Sequence, residues 1–264
     1  MDITSRDNRL IREYRHLVAD GKYRRRSGLF ALEGARLCAD AVLSQVPMEV
    51  VLYTAQGASR YPEQLALLRT VAPCYEIAEQ LGSFISDTEA PQGIFCIGNM
   101  KEGEYTPDRL LLSGRYAALE AVQDPGNLGT MIRTAEALGL DGLLLSDGCC
   151  DAYNPKVLRG SMGGVFRLPL FSVGSFAQQF PLLHRRGFTT VACVVDTDAI
   201  PIQQAPLSSG TIVVIGNEGN GLTPETVTIC SCKITIPMAG RAESLNASMA
   251  AGIVFWEMVR RMER

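Results

Sequence analysis

Thr211-Ile212-Val213-Val214-Ile215-Gly216-Asn217-Glu218-Gly219-Asn220-Gly221-Leu222 is the stretch on which the reading of this chain turns. Its first half is a continuous apolar run, the pattern of a parallel strand buried on both faces. A glycine-rich loop follows at once, and ligands of open α/β sheets bind at that end of the strands. Glycines there let a ligand come close to the backbone. They run G-x-x-G-x-G, which is the wrong order for the dinucleotide fingerprint G-x-G-x-x-G. The acid at 218 would also repel a pyrophosphate, so Glu218 suits a ligand with cationic or hydroxyl groups. The bland alternative is a glycine-rich connection with one exposed acid.

Two more junctions of this kind flank it. Gln123-Asp124-Pro125-Gly126-Asn127-Leu128-Gly129-Thr130-Met131-Ile132-Arg133-Thr134 leaves a strand at 117–122, turns through Asp-Pro-Gly and enters a helix over 127–138 with Asn127 as its cap. Arg133 stands under two helical turns beyond Asn127, so both can address one crevice. Read alone, the segment is equally a good turn followed by a surface helix. Ile236-Pro237-Met238 then ends a strand, Pro237 removing a backbone donor, and Ser244-Leu245-Asn246-Ala247-Ser248 opens the last helix, with Ser244 or Asn246 as cap. That helix runs from about 245 to 262. Leu245, Met249, Ile253 and Trp256 fall on one stripe, and Arg260, Arg261 and Arg264 gather at its end. Three polar strand-to-loop junctions in one half of the chain point to a shared site that needs no metal.

Around these junctions, strands at 142–145 and 191–195 alternate with helices, which argues for a mostly parallel sheet with helices on both faces. The first hundred residues alternate shorter pieces: strands at 30–32, 50–53, 74–77 and 94–97, and helices at 34–43 and 62–71. Residues 99–115 are polar and turn-rich. The expected organisation is an N-terminal α/β unit over 1–100, a linker over 101–115 and a larger unit over 116–264.

Composition sets limits on function. The chain has 264 residues, 47% hydrophobic and 20% charged, with a net charge of −3, and no apolar run approaches a membrane span. The polar N-terminus lacks the pattern of a signal peptide, so the expected compartment is the cytoplasm. Cys38, Cys74, Cys96, Cys149, Cys150, Cys193, Cys230 and Cys232 form no C-x-x-C pair, and they read as small apolar thiols rather than metal ligands. The net charge hides an asymmetry. Residues 1–36 carry nine basic side chains (Arg6, Arg9, Arg12, Arg15, Lys22, Arg24, Arg25, Arg26, Arg36) against five acids (Asp2, Asp7, Glu13, Asp20, Glu33), a local charge of +4. The run Lys22-Tyr23-Arg24-Arg25-Arg26 sets an aromatic among cations, which suits phosphate neutralisation and suits a solvated helix end equally well.

These motifs resemble those of the SpoU (TrmH-type) RNA ribose methyltransferases of the SPOUT class. The likeness rests on N-L-G-T-x-x-R-T-A at Asn127 to Ala135, G-N-E-G-x-G-L at Gly216 to Leu222, and I-P-M-x-G-x-x-x-S-L-N-x-S at Ile236 to Ser248. The stretch Arg159, Ser161, Met162, Gly163 is similar to the family's R-x-S-x-G. More weakly, Phe30-Ala31-Leu32-Glu33-Gly34-Ala35-Arg36 resembles the opening of a ribosomal-protein-like substrate domain. The resemblance implies a trefoil-knotted, parallel-sheet methyltransferase domain from about Tyr116 onward, a homodimer, and S-adenosylmethionine as cofactor. It implies a cofactor cradle of Gly216, Asn217, Ile236, Pro237, Met238 and Leu245. The catalytic set would be Arg133, with Asn127, Glu218, Ser244 and Asn246 in support.

The function expected is methyl transfer from S-adenosylmethionine to a ribose 2′-hydroxyl, in ribosomal RNA rather than transfer RNA, with Arg24, Arg25, Arg26, Arg36 and Arg159 contacting the RNA. An arginine stays protonated in proteins, so Arg133 fits a fork on ribose and phosphate oxygens better than a base. Three alternatives stay open: a transfer-RNA enzyme, an RNA-binding relative with an inactive pocket, and a nucleotide-dependent oxidoreductase, the last disfavoured by the glycine order.

Overall fold

The computed structural model describes residues 3–101 and 106–262. Residues 102–105 of the expected linker, Asp2 of the N-terminal charge count and Arg264 lie outside the described residues, as does the side chain of Arg261. The chain forms two compact units, Met1–Glu102 with Asp151–Phe166, and Gly103–Cys150 with Arg167–Arg264. The sequence reading expects a contiguous division either side of 101–115. The structure instead gathers 151–166 into the first unit.

The first unit begins with α1 (Arg9–Ala19), capped by Asn8, and α2 (Gly21–Ser27), capped by Asp20. There follow β1 (Leu29–Glu33), α3 (Ala35–Leu43), β2 (Met48–Tyr53), α4 (Ala55–Arg60), α5 (Pro62–Leu68), β3 (Cys74–Glu76), α6 (Glu79–Ile85) and β4 (Ile94–Asn99). The strands make one mixed sheet in the order β1-β4-β2-β3. Spacing of three places Ile11, Tyr14 and Leu17 of α1 on one stripe, and these pack with Leu52, Phe95 and Ile97 of the sheet. Tyr14 meets Phe95 edge-on at 5.6 Å and gives its hydroxyl proton to the Leu32 carbonyl.

The second unit starts at β5 (Tyr116–Leu119), α7 (Pro125–Ala137) and β6 (Gly142–Ser146). The chain then contributes α8 (Pro155–Ser161) and the short α9 (Gly164–Arg167) before β7 (Leu170–Gly174), α10 (Phe176–Arg185), β8 (Thr189–Cys193), β9 (Ile200–Pro201), β10 (Thr211–Ile215), α11 (Pro224–Ile229), β11 (Cys232–Thr235) and α12 (Ala247–Met262). Every pairing in the seven-stranded sheet β7-β6-β5-β10-β8-β11-β9 is parallel. β10 is buried throughout and holds the centre, as its unbroken apolar run requires. Ile212 and Val214 join a core with Phe176 and Phe180 of α10, leaving Val213 and Ile215 to the opposite face. On α12 the buried residues are Ser248, Ala251, Val254, Phe255, Met258 and Val259, whereas Met249, Ile253 and Trp256 of the stripe read from sequence are 62%, 40% and 58% exposed.

What draws 151–166 into the first unit is a set of specific contacts. Arg24 is 3% exposed and its Nε donates to the Asp151 carboxylate at 2.7 Å, while Nη1 donates to the Leu17 carbonyl at 2.6 Å. Phe30 packs against Tyr153 and Phe166, and the Tyr153 hydroxyl accepts the Lys101 backbone N–H. Arg24 is therefore spent inside the unit, which corrects its expected place on an RNA-facing surface. A buried ion pair holds its place only while both partners are present. Asp151→Asn, which strands the guanidinium, should destabilise the protein by about 3–5 kcal/mol, seen as a lower midpoint in denaturant. An unchanged midpoint would show the pair to be dispensable.

Candidate functional site

Because β5, β10, β8 and β11 lie side by side and parallel, their following loops all leave one edge of the sheet. The loops after β8, β10 and β11 wall a cleft of about 460 Å³. Val194 and Val195 after β8, residues 216–222 after β10, and Ile236, Met238, Glu243, Ser244 and Leu245 after β11 line it. The volume falls within the roughly 300–1,000 Å³ of clefts that hold small ligands. Of the cradle expected from sequence, Gly216, Asn217, Ile236, Met238 and Leu245 face this cleft, and Pro237 sits between two of them.

The loop after β10 is folded tightly on itself. Asn217 and Gly221 exchange backbone hydrogen bonds at 3.0 Å each way, and Asn217 Oδ1 accepts the N–H groups of Gly219 and Asn220. A Cβ on Gly216 would lie 2.2 Å from the Gly221 carbonyl carbon and 2.4 Å from the Leu222 nitrogen, so no side chain fits there. This explains the glycine by crowding of backbone on backbone.

Glu218 clasps that loop to the one after β5. Its carboxylate accepts from the Gln123 N–H at 3.2 Å, the Asp124 N–H at 3.1 Å, Asn127 Nδ2 at 3.2 Å and Asn217 Nδ2 at 3.3 Å. Asn217 Nδ2 also donates to the Ala121 carbonyl at 2.8 Å. Partial burial works to raise the Glu218 pKa, but donors from its own backbone, Asn127, Asp124 and Gln123 outweigh it and hold the carboxyl below the ordinary glutamate value. A carboxylate so fully engaged serves as a clasp and has little capacity left to take a proton.

Asn127 extends the network to the last helix. Its side chain is free to do so because Asp124, not Asn127, caps α7, accepting the Asn127 N–H at 2.8 Å. Asn246 Nδ2 donates to Asn127 Oδ1 at 3.1 Å, while Asn246 Oδ1 caps α12 by accepting from the Ser248 and Met249 N–H groups. Glu218, Asn127 and Asn246 thus come together from three distant segments. Ser244 lines the cleft with no hydrogen-bond partner among the described residues. Arg133 stands apart. It is exposed on α7, outside the cleft lining, and its side chain makes no ion pair or hydrogen bond among the described residues.

One residue escaped the sequence reading. Glu120 is 8% exposed, and its carboxylate accepts from the Thr223 N–H at 2.8 Å, the Thr223 hydroxyl at 3.0 Å and the Thr226 hydroxyl. It ties the far end of the cleft loop, where Thr223 caps α11, to the end of β5. The signal was present as an acid inside a run read as one strand over 117–122. The strand in fact stops at Leu119, and Ala121 takes a left-handed φ of 49°.

Of the remaining basic residues singled out from sequence, Arg25, Arg26 and Arg36 are exposed, and Arg26 stacks over Tyr23 at 5.4 Å. Arg159 is ion-paired with Asp87 at 2.8 Å.

With this geometry in hand, comparison with known proteins is specific. The profile of the SpoU rRNA Methylase family matches residues 114–256, and that of the MRM3-like substrate binding domain matches residues 8–96. The chain is 32% identical over 258 residues to the 23S rRNA (guanosine(2553)-2′-O)-methyltransferase RlmP of Bacillus subtilis, covering 97% of this chain and 98% of that one. It is likewise 32% identical over 270 residues to the 23S rRNA (uridine(2479)-2′-O)-methyltransferase of Streptomyces viridochromogenes, covering 98% and 91%. Among solved structures, the AdoMet-bound rRNA methyltransferase from Sinorhizobium meliloti superposes with a TM-score of 0.87 at 27% identity, over 99% of this chain and 98% of the other.

The clasp makes an acid-side prediction. A carboxyl whose pKa is lowered by folding stabilises the fold above its ordinary value of 4.5, and that contribution is lost as pH falls through the depressed pKa. Glu218→Gln should therefore melt below the parent protein at pH 7, with the gap narrowing as the pH falls below 4.5. A gap that stays constant across that range would rule out the clasp.

Proposed function

The chain belongs to the SpoU rRNA methylase family, and from that premise we propose that it transfers a methyl group from S-adenosylmethionine to a ribose 2′-hydroxyl of ribosomal RNA, in the cytoplasm. The observation that carries this reading is the cleft itself, walled by the motif loops after β10 and β11 and tied to the motif loop after β5 through the Glu218–Asn127–Asn246 network.

S-adenosylmethionine supplies an electrophilic methyl when bound. The residues suited to hold it are Gly216 and Asn217, through close backbone approach, and Ile236, Pro237, Met238 and Leu245 as apolar walls. The Glu218 and Glu243 carboxylates put negative potential beside a cationic ligand. Ser244 has hydroxyl capacity to spare for the ligand or the target ribose. Arg133 keeps its charge at any working pH, so its role is to hold the ribose oxygen and a neighbouring phosphate in a fork, a phosphate or water oxygen taking the proton. Its freedom from other partners supports this assignment. Arg25, Arg26 and Arg36 on the first unit, which we read as a ribosomal-protein-like RNA holder, have exposed charge available for phosphates.

We further read the return of the chain from β11 to α12 as a trefoil knot. The order β5-β10-β8-β11, with α12 packed back on α7, supports that path. The exposed stripe Leu245, Met249, Ile253 and Trp256 is the surface we assign to a homodimer, since such a contiguous apolar stripe calls for a partner.

Two experiments test this. Ribosomal RNA from cells lacking the protein, incubated with enzyme and labelled S-adenosylmethionine, should gain label at one ribose. Arg133→Ala should keep cofactor affinity by calorimetry and lose turnover by at least roughly a hundredfold, the scale of removing one transition-state donor. Normal turnover would refute its role. Separately, Met249→Glu/Trp256→Glu should sediment as a monomer where the parent sediments as a dimer. A parent that is itself monomeric would overturn the assembly.

A further inference from the structure

We propose that Arg6 and Arg15, both stacked on the ring of Phe84, form a clamp for the phosphodiester backbone of the substrate RNA. The proposal rests on the RNA methyltransferase reading and places a phosphate site where the sequence motifs put none. The Arg6 guanidinium carbon lies 4.4 Å from the Phe84 ring centroid and that of Arg15 lies 4.2 Å from it. Phe84 belongs to α6, Arg15 to α1, and Arg6 to the turn that precedes α1. Three segments of the first unit therefore converge on one arrangement.

Two cations on one small ring repel each other. Neither arginine has a carboxylate partner among the described residues. With Ile11, Tyr14 and Leu17 turned into the core, a step of 100° per residue puts Arg9 and Arg12 on the solvent arc of α1 beside Arg15. The acid on this stretch of helix, Glu13, is engaged by the Tyr23 hydroxyl at 2.9 Å to each oxygen. A face left with excess positive charge in a chain of net charge −3 is a local field. A phosphodiester backbone running past the two guanidiniums offsets their repulsion. A guanidinium held over a ring face keeps its in-plane N–H groups unspent, and that fork can take two phosphate oxygens at once. The stack also limits the rotamer freedom lost on binding.

The test uses the full-length protein and ribosomal RNA from cells lacking it, with binding measured across a salt series. Arg6→Gln/Arg15→Gln should weaken RNA binding about tenfold near 0.1 M salt and reduce the slope of log affinity against log salt by about 1.4 to 1.8, the value for two lost phosphate contacts. Its S-adenosylmethionine affinity and melting temperature should stay at the parent values. Arg6→Lys/Arg15→Lys keeps the charge but lacks the planar stack, so it should recover the slope and only part of the affinity. Unchanged affinity and slope in the glutamine pair would overturn the clamp, and full recovery by the lysine pair would overturn the stacked geometry. Methylation of that RNA by the parent protein separates the two levels. If the parent methylates it and the glutamine pair binds normally, the clamp alone fails. If the parent neither binds nor methylates it, the underlying reading fails with it.

Discussion

Everything in the second unit depends on where β10 can go. A strand with no polar face has to be covered on both sides and hydrogen-bonded on both edges, and only the middle of a helix-covered sheet supplies that. It pairs with β5 on one side and β8 on the other, and all these strands run in one direction. The loops that follow them then have to emerge together at one edge. The cleft follows from burying Ile212, Val213 and Val214.

Placement at an edge does not by itself hold loops still, and the structure spends two carboxylates on that. Glu218 gathers donors from two loops, and Glu120 anchors the other end of the same glycine-rich segment to the strand beside it. Asn217, Asn127 and Asn246 extend the Glu218 clasp, each amide giving and accepting at once. A site braced in this way is organised before any ligand arrives, so less ordering cost falls on binding. Gly216 shows how close the packing is, since backbone occupies the space a Cβ would need.

The first unit shows how charge runs divide. Lys22-Tyr23-Arg24-Arg25-Arg26 is uniform in sequence, yet Arg24 turns inward to Asp151 while Arg25 and Arg26 stay in solvent. A helix of 3.6 residues per turn cannot keep three consecutive side chains on one face, so one of them had to meet the core. It was accepted there because a carboxylate from a segment 127 residues away was waiting. On α1 the same geometry keeps Arg9, Arg12 and Arg15 outside, because Ile11, Tyr14 and Leu17 take the inner face.

By itself, the sequence determined the strand and helix alternation, the parallel character of the second sheet, and the three polar loops at its edge, two of which wall the cleft. All of these are written in short runs of neighbouring residues, through apolar periodicity, glycines and caps. Only the tertiary structure decided which side chains those loops would join. Asn127 was legible as a cap but gave that role to Asp124, Glu218 became a clasp, Glu120 passed as part of a strand, and residues 151–166 left the sheet unit for the first one. It likewise turned the Met249, Ile253 and Trp256 stripe outward, because another face of α12, with Ala251, Val254, Phe255 and Met258, filled the core. The physical reason is range. Periodicity is local, whereas a hydrogen bond between residues 91 positions apart exists only once the sheet has set its strand order.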